Sequence, residues 1–472
     1  MDKKTKIVAT IGPATTSKER LKELLLAGMN VMRLNFSHGD FAEHQERLDN
    51  LRSVSEELNV PVAVMQDLGG PKIRIGNFST ESITLKKGAT FTLTTESIVG
   101  DEHRVYVNYP LLPKEVKKGG FILLHDGKKK LQITDVKGNE VVCTVIVGGD
   151  IKGRRGVNLP GAYLSISSLT EKDRKDLEFG IKNKIDYVAL SFVRRAGDIA
   201  ELRAILKKAK LDAGIISKIE TPEAVENIDQ IIELSDAIML ARGDLAIEIP
   251  AEDVPLVQKM IIKKCNKAGK PVITATQMLE SMIKSPVPTR AEVSDIANAI
   301  LDGTDAVMLS EETTLGQFPV EAVSVMARVA KRVEGDYLLK QFLNGTPSVG
   351  ETHGVGESIT ASAVRNSDRI GARLIISLSE SGYSSRMISR YKPTQPILVF
   401  TPNETTFHHV VLSFGCFPVL VKRFKTFNEI EKVIRAYCLK NKLAKAGDKI
   451  VIASGMPFGK AVETNMLVVE TL

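Results

Sequence analysis

Tryptophan is absent from the 472 residues, and cysteine occurs only four times, at Cys143, Cys265, Cys416 and Cys438. These thiols lie far apart and form no C-x-x-C pair, which argues against a disulfide framework and a zinc motif. No uninterrupted apolar run approaches the ~20 residues that a membrane span requires. The polar stretch Met1–Lys6 leads directly into a strand pattern, with no secretory core. These absences predict a cytoplasmic protein without a membrane partner. Aromatics are also scarce. Eight Tyr and sixteen Phe, with no interleaved basic residues, offer no stacking platform for single strands, so nucleic acid is not an expected partner. The 64 basic and 57 acidic residues leave a net charge of +7, which suits anionic small molecules. With 43% apolar and 26% charged residues the composition is globular. At about 100–200 residues per domain, the length suggests some three domains.

Short β-rich apolar segments alternate with amphipathic helical ones. Strands are predicted over Ile7–Ile11, Val31–Phe36, Val62–Asp67, Tyr187–Phe192, Ile215–Glu220, Ala237–Ala241, Val272–Thr276 and Ala306–Ser310. Helices are predicted over Ser17–Ala27, Ala200–Ala209, Val254–Ala268 and Ala291–Leu301. Strands alternating with helices imply parallel pairing, and eight such units close a (β/α)8 TIM barrel. The alternation breaks between Pro71 and Pro160. Short strands with glycine and lysine turns there (Ser82–Leu85, Thr90–Thr94, Phe121–Leu124, Leu131–Val136, Val141–Val147) predict a small inserted β-barrel lid. After a linker at Asn344–Gly350, strands Leu374–Leu378, Ile397–Thr401, Pro418–Val421 and Lys449–Ala453 alternate with helices as an open-sheet α/β domain. The expected division is therefore 1–70 with 161–340 for the barrel, 71–160 for the lid and 350–472 for the C-terminal domain.

In a closed parallel barrel, chemistry comes from the C-terminal strand ends. The second strand ends in Arg33-Leu34-Asn35-Phe36-Ser37-His38, and the third in Asp67-Leu68-Gly69-Gly70-Pro71-Lys72. The fifth ends in Lys218-Ile219-Glu220, the sixth in Arg242-Gly243-Asp244, the seventh in Thr276-Gln277 and the eighth in Ser310-Glu311-Glu312. Lys218 and Glu220, two apart in a strand, share a face. A self-neutralising structural pair would look the same. Glu220 and Asp244 on neighbouring strands can converge on a hard cation such as magnesium. Arg33, Lys218 and a carboxylate pair around one rim describe a phosphoryl-transfer site.

Several longer runs carry a family resemblance across nearly the whole chain. Ile215-Ile216-Ser217-Lys218-Ile219-Glu220-Thr221-Pro222-Glu223 resembles the active-site signature of the pyruvate kinases. Asn30–Gly39, Gly156–Gly161, Ala241–Leu245, Thr274–Leu279, Pro288–Glu292 and Leu301–Ser310 resemble further motifs of that family, in the same order. The resemblance implies transfer of the phosphoryl group of phosphoenolpyruvate to ADP, giving pyruvate and ATP. It implies Glu220 and Asp244 as ligands of Mg2+ (or Mn2+), and Lys218 and Arg33 as the cations on the phosphoryl group. It also implies that Gly243, Asp244 and Thr276 hold the substrate carboxylate. Nucleotide contacts would come from Arg74, Arg155, Asn35 and His38. A homotetramer is implied too, as is a loop for a sugar-phosphate or nucleotide effector at Ser379, Ser381, Gly382 and Ser384. Each role has a plainer rival: Arg33 as a structural partner of Asp67, Thr276 as a helix cap, and the serine turn as another cap.

One departure from the family pattern has a chemical consequence. Relatives bind potassium through oxygens at the positions of Asn35, Ser37 and Asp67, beside a glutamate where this chain has Lys72 and a hydroxyl residue where it has Leu68. A potassium ion about 6 Å from a lysine ammonium would be repelled by roughly 3 kcal/mol at an effective dielectric of 20. Potassium should therefore not be required, with Lys72 supplying charge to Asp67 and the substrate. Glu311 stands where the family has glycine, and the sequence assigns it no role. Two other readings share parts of the pattern: a metal-dependent aldolase or lyase acting on phosphoenolpyruvate or pyruvate, and a catalytically idle binding protein.

Overall fold

The computed structural model describes residues 3–335, 354–459 and 462–472. Eight parallel strands form a closed barrel: β1 (Lys6–Thr10), β2 (Val31–Asn35), β3 (Ala63–Asp67), β4 (Tyr187–Leu190), β5 (Gly214–Ile219), β6 (Ala237–Ala241), β7 (Val272–Ala275) and β8 (Ala306–Leu309). Each pairs with its sequence neighbours, and β8 returns to β1 with Ala306 opposite Lys6. The strands read as continuous apolar runs because both faces are covered. Ile7, Leu34 and Leu240 face the surrounding helices, whereas Val8, Met65, Met239 and Met308 fill the interior. Val411 and Leu412 of the C-terminal domain join that inner cluster and plug the barrel floor.

The helices follow their sequence signals. Ser17 accepts a hydrogen bond from the Arg20 amide and so precedes the helix Lys18–Ala27 rather than opening it. That helix buries Leu21, Leu24 and Leu25 and stops at Gly28, whose φ of 122° a side chain would oppose. Six of the expected barrel strands end one or two residues early, and three of these ends shape the rim. β4 stops at Leu190 because Phe192 turns with φ 52°, and β7 stops at Ala275 because Thr276 has φ 70°. β5 stops at Ile219, which leaves Glu220 just beyond the strand.

Between β3 and β4 the chain builds the β domain. A six-stranded sheet and a two-stranded sheet (Ser82–Leu85 with Gly149–Lys152) enclose a core that includes Phe91, Leu93, Ile122 and Leu131. Strands Arg104–Tyr106, Gly149–Lys152 and Val157–Asn158 add to the five expected. In the C-terminal domain the sheet order is Cys416–Leu420, Ile397–Thr401, Leu374–Leu378, Lys449–Ser454 and Met466–Thr471, the last antiparallel. The expected linker Asn344–Gly350 lies outside the described residues.

Candidate active site

Four barrel strands bring charge to one point on the C-terminal rim. Arg33, midway along β2, donates from Nε to Asp67 Oδ2 at 2.6 Å and from Nη1 to Thr10 Oγ1 at 2.8 Å. Asp67, at the end of β3, is fully buried, and its Oδ1 lies 3.3 Å from Lys218 Nζ of β5. Lys218 also lies 3.0 Å from Glu220 Oε1 and donates to Ser191 Oγ at 2.7 Å. Glu220 Oε2 accepts the Phe192 amide at 2.7 Å. The plainer reading of Arg33 as a partner of Asp67 is thus present, and it leaves Nη2 without a protein acceptor among the described residues.

Burial opposes charge throughout this cluster, and the partners decide each outcome. Lys218 loses solvation, but Asp67 and Glu220 outweigh that loss and push its pKa up. Desolvation would raise Asp67, yet the Lys218 and Arg33 cations hold it below the usual carboxylate range. Glu220 is pushed upward by burial, with Lys218 pulling against it and Asp244 adding repulsion. Two carboxylates that repel each other across a rim form a donor set suited to a divalent cation. Among the described residues no group of three His, Cys, Asp or Glu side chains gathers in ligand geometry. A metal would therefore take two protein carboxylates, with waters or substrate oxygens completing its shell.

Beside Asp244, the Gly243 amide donates to Thr276 Oγ1 at 2.8 Å, and that hydroxyl donates onward to the Ala275 carbonyl at 2.5 Å. Thr276 caps no helix, since the next one begins at Glu280. The Gly243 amide and the Thr276 hydroxyl, both expected at the substrate carboxylate, are thus brought together by the structure. A cavity of about 190 Å3 opens between the β domain and the rim. Lys72, Arg74 and Asp126 line it from the β-domain side, and Asp244 and Glu248 from the barrel. Asn158 donates to Glu248 at 2.8 Å and bridges the two walls.

Comparison with known proteins decides what this rim belongs to. Residues 2–323 match the family model "Pyruvate kinase, barrel domain" and residues 357–470 match "Pyruvate kinase, alpha/beta domain". The chain belongs to the pyruvate kinase family. It is 42% identical to the pyruvate kinase of Clostridium perfringens over 99% of this chain and 100% of that one. It is 43% identical to the pyruvate kinase of Geobacillus stearothermophilus, over 100% of this chain and 81% of that one. A crystal structure of a pyruvate kinase from Cryptosporidium parvum superposes with a TM-score of 0.94 at 38% identity, covering 100% of this chain and 96% of that one. The chain is an enzyme of this family, with the barrel and C-terminal α/β domain that the family descriptions name.

The remaining expected residues of the pyruvate kinase site divide. Lys72 is exposed and makes no ion pair with Asp67, whose cations are Arg33 and Lys218. The expected Lys72–Asp67 contact is therefore corrected. The chain turns at Gly70, with φ 66°, and Lys72 lies beyond that turn on the cavity wall. Leu68 likewise buries its side chain in the barrel core and presents only its carbonyl, which accepts from Ser191 Oγ at 2.7 Å. Asn35 accepts the Ser37 amide at 3.1 Å. Burial and the charges of Lys72, Arg74 and Arg33 hold His38 below its usual pKa, against the pull of Glu311. Glu311 thus acts on the His38 corner of the rim. Arg155 lies in the β domain close enough to His125 to lower its pKa.

In the C-terminal domain, Ser379, Ser381 and Ser384 line a small cavity of about 40 Å3. Gly382 opens the helix Tyr383–Ser389 with φ 73°, so the serine turn does lead into a helix, but no side chain caps it. The Ser384 hydroxyl is engaged by Thr464 at 2.5 Å, and Glu380 faces Arg423 at 3.3 Å. The sequence reading missed Thr10, Ser191 and Phe192. Thr10 ends β1 and Ser191 directly follows β4, so the rim rule applied to all eight strands finds their hydroxyls. Phe192 acts through its backbone, which leaves no residue-type signal.

Proposed function

We propose that this enzyme transfers the phosphoryl group of phosphoenolpyruvate to ADP, forming pyruvate and ATP. The observation that carries the reading is the largely enclosed Lys218 ammonium, held by Ser191, Asp67 and Glu220 on the rim that Asp244 completes. The phosphoryl group leaves the enol oxygen for a terminal ADP oxygen, carrying negative charge with it, and the enolate left behind takes a proton at its methylene carbon to become pyruvate. Lys218 and the free edge of Arg33 neutralise that charge from fixed positions, so little reorganisation accompanies the transfer. Asp67 holds both cations apart and charged. Thr276 fixes the Gly243 turn, which sets the direction of the Asp244 carboxylate. Glu220 and Asp244 would hold Mg2+ or Mn2+, which when bound supplies Lewis-acid charge at the substrate oxygens. Arg74 and His38 on the cavity side, with Asn35 and Arg155, would meet the nucleotide.

Turnover without potassium belongs to the same proposal. Lys72 places a cation on the cavity wall within electrostatic reach of His38. It acts there on substrate and nucleotide phosphates rather than through Asp67. A homotetrameric, cytoplasmic enzyme with a phosphorylated effector at the Ser379–Ser384 turn completes the proposal. Support for the effector is the serine-lined cavity alone. Light scattering that gives a monomer at micromolar protein would remove the tetramer. The central test follows pyruvate formation from phosphoenolpyruvate and ADP with magnesium, coupled to lactate dehydrogenase. Wild-type protein should turn over and Lys218→Met should not; no pyruvate from wild type refutes the function.

A further inference from the structure

The chain enters the β domain through residues 68–72 and returns through residues 159–169, and both passages touch the same short turn after β4. Ser191 accepts from Lys218 Nζ and donates to the Leu68 carbonyl on the outgoing passage, both at 2.7 Å. Phe192 donates its amide to Glu220, while its carbonyl accepts from Ser168 Oγ on the returning passage at 2.8 Å. Arg194 is only 4% exposed, and its guanidinium forms no salt bridge among the described residues, although the Asp198 and Glu223 carboxylates lie near enough to favour its charge against burial. It donates to two carbonyls of the returning passage, Leu164 at 3.1 Å and Ile166. Arg195 adds a longer bond to Leu164 at 3.4 Å. The turn is anchored to the barrel by Asp198, which accepts the Arg194 amide at 2.9 Å, and by Asn227, which donates to the Arg194 carbonyl at 3.0 Å. From the other side the β domain grips the same passage through Glu115, which accepts the Ser165 amide at 3.1 Å.

We propose that Arg194 is a positioning residue that couples the seating of the β domain to the geometry of Lys218 and Glu220, acting through the turn Ser191–Arg194. This rests on the reading of Lys218 as the phosphoryl cation and Glu220 as a metal ligand. The planar fork matters because two carbonyls, two residues apart, are held by one rigid group. A shift of the returning passage pulls on Arg194. The turn has little slack, since Phe192 already sits at φ 52° and Gly70 packs directly against Ser191 and Phe192. The displacement therefore reaches the Phe192 amide on Glu220 and the Ser191 hydroxyl on Lys218.

The test uses full-length Arg194→Gln, Arg194→Lys and Ser168→Ala with three readouts. These are amide exchange of residues 159–169, Mn2+ half-saturation followed by electron paramagnetic resonance without substrate, and steady-state kinetics. Arg194→Gln should speed exchange in the passage. It should raise Mn2+ half-saturation about tenfold, because an outer partner of a metal ligand is displaced. It should lower kcat by about 10- to 100-fold, as a misplaced reacting group does, with the ADP KM nearly unchanged. Arg194→Lys, reaching one carbonyl, should fall between, and Ser168→Ala should move all three readouts the same way by less. Faster exchange with Mn2+ half-saturation and kcat both unchanged overturns the coupling. Should Arg194→Gln fail to fold, the other two variants decide by the same criteria. If wild type itself forms no pyruvate, the functional reading fails, and Mn2+ binding with exchange still decides the coupling.

Discussion

Replacing Lys218 with methionine separates two effects that the site combines. The ammonium lies 3.0 Å from Glu220 and 3.3 Å from Asp67, both buried. Asp67 keeps Arg33, but Glu220 loses its only cationic partner among the described residues. Stripping one partner from a buried pair costs about 3–5 kcal/mol, and the retained Arg33–Asp67 contact favours the lower end. Protonation of Glu220 can recover part of that loss. In the wild type the raised Lys218 pKa contributes stability that is complete below its ordinary value of 10.5 and is lost only as pH rises through the folded value. Burial already raises Glu220 above its ordinary 4.5 in the wild type, with Lys218 pulling against it, and loss of Lys218 raises it further. Its contribution is then present below 4.5 and lost as pH rises through the folded value. The melting deficit of Lys218→Met relative to wild type should therefore widen from about pH 5 to about pH 7.5. Catalysis should fall further than stability. A unit charge about 4 Å from the phosphoryl group at an effective dielectric of 20 is worth about 4 kcal/mol, or roughly 10³-fold in rate. Scanning calorimetry at both pH values and the coupled assay at neutral pH measure the two effects. A deficit independent of pH, or turnover within about tenfold of wild type, refutes the assignment.

Asp244→Asn and Glu220→Gln should each raise the magnesium concentration for half-maximal activity by about tenfold or more, because one of two anionic donors is lost; unchanged titrations in both place the metal elsewhere. Lys72→Glu should make turnover respond to potassium chloride against tetramethylammonium chloride at matched ionic strength, while wild type stays flat. A strong potassium response in wild type would end the substitution argument. Gly70→Ala would place a Cβ 2.8 Å from Ser191 Cβ at a backbone φ of 66°. It should lower the melting temperature, through about 1–3 kcal/mol of backbone strain, and reduce kcat with it; an unshifted melt would show that the turn relaxes freely.

Legibility in the sequence followed the physics that shaped each part. The eight barrel strands were readable because burial on both faces leaves uninterrupted apolar runs such as Ala237–Ala241 and Ala306–Leu309. Site residues were readable because strand ends point into one rim. Strand Met466–Thr471 was not, although Met466–Val469 is apolar, because no helix precedes it to mark another alternating unit and it pairs antiparallel at the sheet edge. The position of Lys72 was not legible, because nearness in sequence carries no direction: it lies on the cavity wall beyond the turn at Gly70 and makes no ion pair with Asp67. The turn after β4 stayed hidden because its bonds run through backbone groups, which every residue type possesses. Its arginine reads in sequence as one more surface cation.

The insertion of the β domain between two barrel strands also has a consequence for how the chain reaches its native state. The Val64 amide meets the Asp186 carboxylate across 122 residues, yet β3 and β4 are adjacent staves. Closing so long a loop as open coil is entropically demanding. The intervening segment has its own apolar centre, separate from that of the barrel. Once it condenses, its two ends emerge side by side at Leu68 and Ser168, both hydrogen-bonded to the turn after β4. The effective separation of the staves then shrinks from a long span of disordered chain to the width of two passages. During synthesis the first three staves would wait unpaired on one edge until the insert has folded. Swapping the insert for a flexible linker of equal length would slow barrel closure far more than it would weaken the finished barrel.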